Sequence, residues 1–322
     1  MPKRANPTPL EQMDALSDLM TAFETRAADE AALTDAVLDE MIRLVPGKRA
    51  IIAGHVGERP AIFRFHLSKQ VESAARDWAE LTRAHTYMNT GDLRVSTPIC
   101  HLPDLGLVVS ERAPGMPLMV RIWQTPPAGR PALLPAAAAW LRKYTAPTEA
   151  PTPVRLDGWF GRADKALARL RYAELRELKT AIVAELTRIS TPHEAGTWRM
   201  AICHGDFHPN NLLSEGTRLT GIDTGGSARL PVVKDIARFL THMGRRGLLP
   251  SGTARYGVDA EGIAVFADAL ELTEVERDIW LPFMIGIEAL VRVESSALSR
   301  SRIRRSTAFC EALLTDLRAL RV

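Results

Sequence analysis

Cys203-His204-Gly205-Asp206-Phe207-His208-Pro209-Asn210-Asn211-Leu212-Leu213, followed by Leu219-Thr220-Gly221-Ile222-Asp223-Thr224-Gly225-Gly226, decides the reading of this 322-residue chain. Glycine, proline and Asx residues make the centre of the first segment a loop. An apolar lead-in precedes the loop, and two short apolar runs with the pattern of a strand pair follow it. Asp206 and Asn211 stand five positions apart at opposite ends of the loop, and Asp223 comes twelve positions after Asn211. Asx residues in loops commonly cap helices or make turns, so any one of the three alone reads as structural. The three together, at these intervals and in this strand-and-loop context, read as chemistry.

Phosphoryl transfer needs a carboxylate to orient or deprotonate an attacking hydroxyl, and oxygen ligands to hold magnesium against nucleotide phosphates. A loop aspartate, a loop amide oxygen and a second aspartate supply that set. Protein kinases use the same interval from loop Asp to Asn, followed by a metal-binding Asp. The segment resembles the catalytic loop H-G-D-x-x-x-x-N of the aminoglycoside phosphotransferase and choline kinase-like family, in which histidine and proline often fill the middle, as His208 and Pro209 do here. The resemblance implies an α+β, protein-kinase-like two-lobe fold, with a small antiparallel-sheet N-terminal lobe and a larger, mainly helical C-terminal lobe. It implies an enzyme that uses ATP and Mg2+, with Asp206 as catalytic base and Asn211 and Asp223 as metal ligands. His204 becomes a buried loop anchor, and Asp235, in Asp235-Ile236-Ala237, a brace for the loop. Where the family often has I-D-W or I-D-F, this chain has Ile222-Asp223-Thr224.

The nucleotide lobe departs further from the family. No G-x-G-x-x-G is present, and Pro46-Gly47-Lys48-Arg49 is the candidate phosphate-covering turn. The strand position expected to hold lysine is Arg64, in Phe63-Arg64-Phe65, with Lys69 as the fallback. Arginine keeps the charge but presents a planar fork instead of a point charge. By alternation alone, Arg64 is equally an exposed strand residue between two core phenylalanines. Glu72, Asp77 and Glu80 are candidate helix acids, and Arg76-Asp77 with Leu81 best fits the family's R-E-x-x-x-L. Val108 to Leu118 resembles the family hinge, which places Ser110, Glu111, Arg112 and Ala113 at the adenine edge.

The remaining sequence sets limits. A 46% hydrophobic chain of this length suggests two lobes. A net charge of +3 gives no argument for nucleic acid or an anionic membrane. Cys100, Cys203 and Cys310 lack metal-ligand spacing and suggest a reducing compartment. The basic N-terminus is followed by no apolar stretch of signal-peptide type. The most apolar run, Ile279 to Val293, contains Glu288 and Arg292 and is shorter than a bilayer span. A cytoplasmic protein is the expectation. Residues 1–45 read as a helical extension, with Leu10 to Val45 in helical spacing. Residues 46–113 read as the nucleotide lobe and 114–322 as the helical lobe, including one long helix from Ala163 to Ile189 and another from Glu274 to Leu298.

The acceptor leaves fewer marks. Pro231 to Val322 holds twelve acidic and thirteen basic residues, with no excess of acid for a polycationic aminoglycoside. The acids between Asp259 and Asp278, and the basic cluster Arg300, Arg302, Arg304 and Arg305, read most simply as solvated faces. Trp159, Phe160, Trp280 and Phe283 fit a pocket or, more simply, the core. The leading expectation is transfer of the ATP γ-phosphate to a hydroxyl of a small molecule. The alternative is a non-catalytic pseudokinase that binds a nucleotide or a protein partner. A kinase of protein side chains fits less well, given H-G-D in place of H-R-D.

Overall fold

The structure is a computed structural model that describes residues 9–67, 71–294 and 298–321. The chain divides into two compact units, Met1–Gly115 with Glu215–Gly226, and Met116–Ser214 with Ser227–Val322. The stretch 114–322 is therefore not one continuous body, because a twelve-residue segment packs with the first unit.

The first unit opens with helix α1 (Pro9–Ala28). The helix expected to run on to Val45 stops well before it. Asp35 takes a left-handed φ of 57°, and Ala36–Val45 is strand β1. Val37, Met41 and Leu44 do have helical spacing. The ladder offered by β2 (Arg49–Val56), from Ala36↔Val56 to Val45↔Arg49, overrides it. β1 also hides its alternation. It is a largely exposed edge strand, with register shifts between Leu38 and Glu40 and between Met41 and Arg43. Pro46-Gly47-Lys48 is the turn of this hairpin, with Gly47 at a φ of 64°.

β3 (Arg59–His66) pairs with β2 around Gly57-Glu58; the sequence reads the same way, with Ala50-Ile51-Ile52 and Ala61 to Phe65 as strands around the turn Val56 to Pro60. Helix α2 (Val71–His85), β4 (Leu93–Val95), β5 (Pro98–Leu102) and β6 (Leu107–Glu111) follow. The five-stranded antiparallel sheet has the order β1-β2-β3-β6-β5. Side chains alternate across β3. Phe63 and Phe65 lie in the core against Phe23 of α1, with ring centroids 5.4 and 5.9 Å away. Arg64 and His66 lie on the opposite face, where Asp77 of α2 meets both.

The second unit begins with β7 (Met116–Pro117), α3 (Leu118–Gln124), α4 (Leu134–Thr145) and β8 (Ala150–Pro153). The long helix expected over 163–189 is two helices, α5 (Asp157–Arg169) and α6 (Ala173–Ser190). The break is held by the Arg176 guanidinium, which donates to the carbonyls of Leu167 and Leu170. These carbonyls then do not need a continuing helix. β9 (Thr197–Cys203) leads into the loop, and β10 (Leu212–Glu215) leaves it and pairs with β7. β11 (Arg218–Gly221) belongs to the first unit, where it runs parallel to β4.

β12 (Ala228–Pro231) returns to pair with β9, and α7 (Val232–Gly244) follows at once. α8 (Ala260–Ala269), α9 (Leu281–Val291) and α10 (Arg300–Ala319) complete the unit. The helix expected over 274–298 is a π-turn at Glu276–Trp280 and then α9, which ends before Arg292. Phe283 is fully buried, consistent with the core assignment. Every residue of α7 is buried, so its polar side chains need partners inside the protein.

Gly54 faces Leu38 at the first register shift, and a Cβ there would stand 1.9 Å from the Val37 carbonyl oxygen. Gly54→Ala is expected to destabilise the protein by about 1–3 kcal/mol, the usual cost of overpacking. Urea unfolding with an unchanged midpoint would contradict this account of β1.

Candidate active site

The loop after β9 is fixed from below by α7. Gly205 has a φ of 81°. Its N–H donates to both carboxylate oxygens of Asp235, at 3.1 and 3.3 Å, and its carbonyl accepts from the Lys234 ammonium. One helical turn on, Arg238 Nε donates to Asp206 Oδ1 at 2.8 Å. A further turn on, His242 stacks on His208 with centroids 4.3 Å apart, and its Nε2 lies 3.2 Å from Asn210 Nδ2. Residues 234/235, 238 and 242 share one helix face, and each meets a successive part of the loop.

Aromatic packing sets the rest of the loop. Phe207 is fully buried, 5.5 Å from Trp140 and 5.1 Å from Phe239 between ring centroids. His204 is buried beside Trp140, Tyr144 and Phe207. Residues Pro209–Asn211 form a 3₁₀ turn. Asn211 Nδ2 donates to the Asp206 carbonyl at 3.0 Å, closing the loop on itself. With Phe207 turned inward, Asp206 keeps its side chain 48% exposed. Its carboxylate is thus open to solvent while its backbone is held.

Burial disfavours the Asp206 charge, but hydrogen bonding from His208, at 3.5 Å, and the Arg238 guanidinium outweigh it, so the carboxyl lies well below the usual range. Burial pushes His242 down to about 2, helped by the Arg246, His208 and Arg238 charges, so its imidazole is neutral at neutral pH. Asp206 is therefore ionised at neutral pH and suited to accepting a hydrogen bond.

The first unit carries a separate ionic cluster. Arg64 Nη1 lies 2.8 Å from Asp77 Oδ2 and 3.0 Å from Asp223 Oδ1. His66 Nε2 lies 3.3 Å from Asp77, and Arg49 Nη1 3.7 Å from Asp223. Arg64 is thus a paired residue, not an exposed strand position. Asp77 is the helix acid that meets it, whereas Glu80 pairs with Arg83. Lys69 lies outside the described residues. Asp223 has a φ of 64°, and a Cβ on Gly225 would come within 2.8 Å of the Asp77 carboxyl. This close approach seats the Asp223 turn against α2. Burial works against the Asp77 charge, yet Arg64 and His66 outweigh it and hold the carboxyl below its ordinary value.

The expected hinge lies at the end of β6. Ser110 and Glu111 pair with Ile62 and Ala61 of β3. The Glu111 N–H donates to Thr97 O at 2.8 Å and the Arg112 N–H to Pro60 O at 2.9 Å. Those two amides are already used within the unit.

Sequence reasoning did not identify His66, Lys234, Arg238 and His242 as site residues, and it placed Arg49 only in the candidate phosphate-covering turn. Three of them left a signal: Lys234, Arg238 and His242 recur every fourth residue in a helix whose other residues, Asp235 and Thr241 aside, are apolar or glycine. Two cavities open in the second unit. One of about 600 Å³ is lined by Glu149, Trp198, Arg199, Glu276 and Trp280 among others, and by no loop residue. The other, of about 440 Å³, includes Arg238 and His242 in its wall.

The profile of the phosphotransferase enzyme family matches residues 48–269. No curated protein sequence matches the chain. Among solved structures, a putative aminoglycoside phosphotransferase from Ralstonia eutropha is similar, with a TM-score of 0.61, 13% identity and coverage of 95% of this chain and 99% of that one. A choline/ethanolamine kinase family protein from Mesorhizobium loti has a TM-score of 0.59 at 16% identity, over 94% of this chain and 100% of its own. The amicoumacin kinase hAmiN, solved with AMP-PNP, Ca2+ and Ami, has a TM-score of 0.53 at 12% identity, over 93% and 96%. The fold is thus the kinase-like α+β fold with a small antiparallel sheet and a larger helical part.

Because the Asp77 carboxyl lies below its ordinary 3.8, the ion pair stabilises fully above that pH and loses its contribution as pH falls below it. Asp77→Asn is expected to cost about 1–3 kcal/mol at pH 7, since Arg64 loses its nearer carboxylate and keeps only Asp223. The gap between variant and wild type should narrow below pH 3.8. A gap that stays constant, or widens, across that range in denaturant titrations would contradict the pairing.

Proposed function

Since the chain belongs to the phosphotransferase enzyme family, we propose that it moves the γ-phosphoryl group of ATP to a hydroxyl of a small molecule, with Asp206 receiving that hydroxyl. The observation that carries this reading is the half-exposed, ionised Asp206, held by Arg238 on one side and by the Asn211 bond to its own carbonyl on the other. The hydroxyl donates a hydrogen bond to Asp206, and its oxygen faces the γ-phosphorus. The new O–P bond forms as the bond from the γ-phosphorus to the β–γ bridging oxygen breaks, and ADP leaves with that electron pair. The hydroxyl proton passes to Asp206 and then to solvent. A carboxylate of such low basicity takes the proton late, so its first task is orientation, which suits a loose transition state.

The donor chemistry fits a divalent cation. Asn211 spends its amide nitrogen on the Asp206 carbonyl, so its Oδ1 is the donor it would offer a metal. Asp223 has a carboxylate 31% exposed. Magnesium takes hard oxygen ligands and shares them with phosphates and water. Asn211 and Asp223 would hold it, and when bound it neutralises charge on the phosphates. On the nucleotide side, Arg64 with Asp77 is proposed for the phosphates. The stretch Ser110 to Ala113 is proposed for the adenine edge, through groups other than the Glu111 and Arg112 amides. The fold-related amicoumacin kinase, solved with AMP-PNP and Ca2+, supports a nucleotide and a divalent ion. An intact Asp206–Asn211 loop favours catalysis over a non-catalytic nucleotide-binding role.

Asp206→Asn is expected to lower kcat by about 10²- to 10⁴-fold, the usual range for a proton-handling group. ATP affinity, read by fluorescent nucleotide displacement, should stay within a few-fold. A variant that transfers phosphate at the wild-type rate to any acceptor in a broad panel would remove Asp206 from the reaction.

A further inference from the structure

The cavity of about 440 Å³ in the second unit is walled by six arginines, Arg238, Arg245, Arg246, Arg292, Arg302 and Arg305. They come from α7 and the turn after it, from the position just past α9, and from the start of α10. Arg238, Thr241, His242 and Arg245 recur along α7 at i, i+3, i+4 and i+7, and Arg302, Arg305 and Ser306 do so at the start of α10. The basic run in 300–305 is thus not only a solvated face, since two of its arginines line this cavity. The cavity adjoins the loop through two of its own wall residues. Arg238 bonds the Asp206 carboxylate, and His242 stacks on His208.

Charge in this wall is not balanced. Asp206 and Glu288 meet Arg238, Glu288 also meets Arg292, and Glu294 meets Arg245. Glu288 is further shared with Lys234, and Glu294 with Lys179. Among the described residues, Arg246, Arg302 and Arg305 have no carboxylate partner within ion-pair distance. The Arg246 guanidinium donates to the His242 carbonyl at 2.7 Å. Burial lowers its pKa, and the surrounding Arg238, Arg302, Arg245 and Arg292 charges lower it further. Like charges gathered in a concave, partly desolvated wall repel one another unless an anion enters.

A second feature also points to a ligand. Thr241 is 1% exposed and lines the cavity, and among the described residues its Oγ1 has no hydrogen-bond partner. A buried hydroxyl without a partner is uncommon and needs an explanation, and a ligand oxygen supplies one. Trp123, 47% exposed, gives the same cavity one flat apolar side.

We infer that the acceptor is an anionic hydroxyl compound, whose phosphate or carboxylate is held by the arginines of this cavity while its hydroxyl reaches Asp206. The inference rests on the proposed kinase reading and narrows it to a substrate class. A guanidinium fork matches both phosphate and carboxylate oxygens, so the two sources are separated by experiment. A polycationic acceptor would meet repulsion here.

The test compares ATP-driven phosphorylation of ribose 5-phosphate and gluconate with that of ribose, glucosamine and choline. It uses wild type, Arg302→Gln, Arg305→Gln and Arg246→Gln. Arg302 and Arg305 are exposed on α10, so their replacements leave the core intact. The anionic compounds should be preferred, with KM raised about tenfold by loss of one charge-assisted contact and kcat changed less. Added salt should raise KM in the same direction. Preference for ribose 5-phosphate over gluconate assigns a phosphate, and the reverse assigns a carboxylate. Preference for glucosamine, choline or ribose overturns the inference while leaving a kinase. If no compound is phosphorylated although ATP binds, the kinase reading is the one in difficulty. Calorimetric binding of ribose 5-phosphate and gluconate to nucleotide-free protein then decides. Binding that the Arg302→Gln/Arg305→Gln double variant loses supports the site, and no binding, or equal binding, overturns it.

Discussion

The ion pair between Arg238 and Asp206 is the contact on which the site depends, and it exists because α7 is buried along its whole length. A buried helix must satisfy every polar side chain it carries. Lys234, Asp235, Arg238 and His242 do so on the loop after β9, in order, one helical turn at a time. The helix thus fixes the backbone at Gly205, the carboxylate at Asp206 and the far arm at Asn210. Phe207 supplies the opposing force by anchoring the loop's middle in the aromatic core. Asp206 is left half-exposed in a fixed place, which is what orienting a hydroxyl requires.

The first unit solves a similar problem with a strand. Alternation along β3 sends two phenylalanines into the core and two polar side chains, Arg64 and His66, to Asp77. The Asp223 turn then closes on α2, because Gly225 has no Cβ to meet the Asp77 carboxyl. In this arrangement Arg64 meets Asp77 and Asp223 together, both through Nη1.

Much of this was legible in the sequence because the loop is local. Asp206, Asn211 and Asp223 sit within eighteen residues, in a pattern of turn residues and short strands that few other chemistries need. The β2–β3 hairpin and α2 were readable for the same reason, since their signals lie within one window. What escaped depends on distant partners. The β1 segment carries a helical apolar pattern and becomes a strand only because β2 pairs with it across two bulges. The break between α5 and α6 is held by Arg176, whose capping of Leu167 and Leu170 no propensity encodes. Arg302 and Arg305 looked like solvated charge because the other arginines of their cavity come from α7, the turn after it and the segment after α9. Only the fold gathers them in one wall. Arg238 could have been found from its spacing with Lys234 and His242 in a largely apolar helix.

The central claim is that Arg238 and Asp206 act as one unit in phosphoryl transfer. A double-mutant cycle on kcat measures this most directly, with Arg238→Gln, Asp206→Asn and the double variant, using the best acceptor found or water. Residues that act as a unit are strongly non-additive. The account predicts that Arg238→Gln slows wild type markedly but costs little further once Asp206 is Asn. Strictly additive losses would mean that the two side chains act independently, and would contradict it.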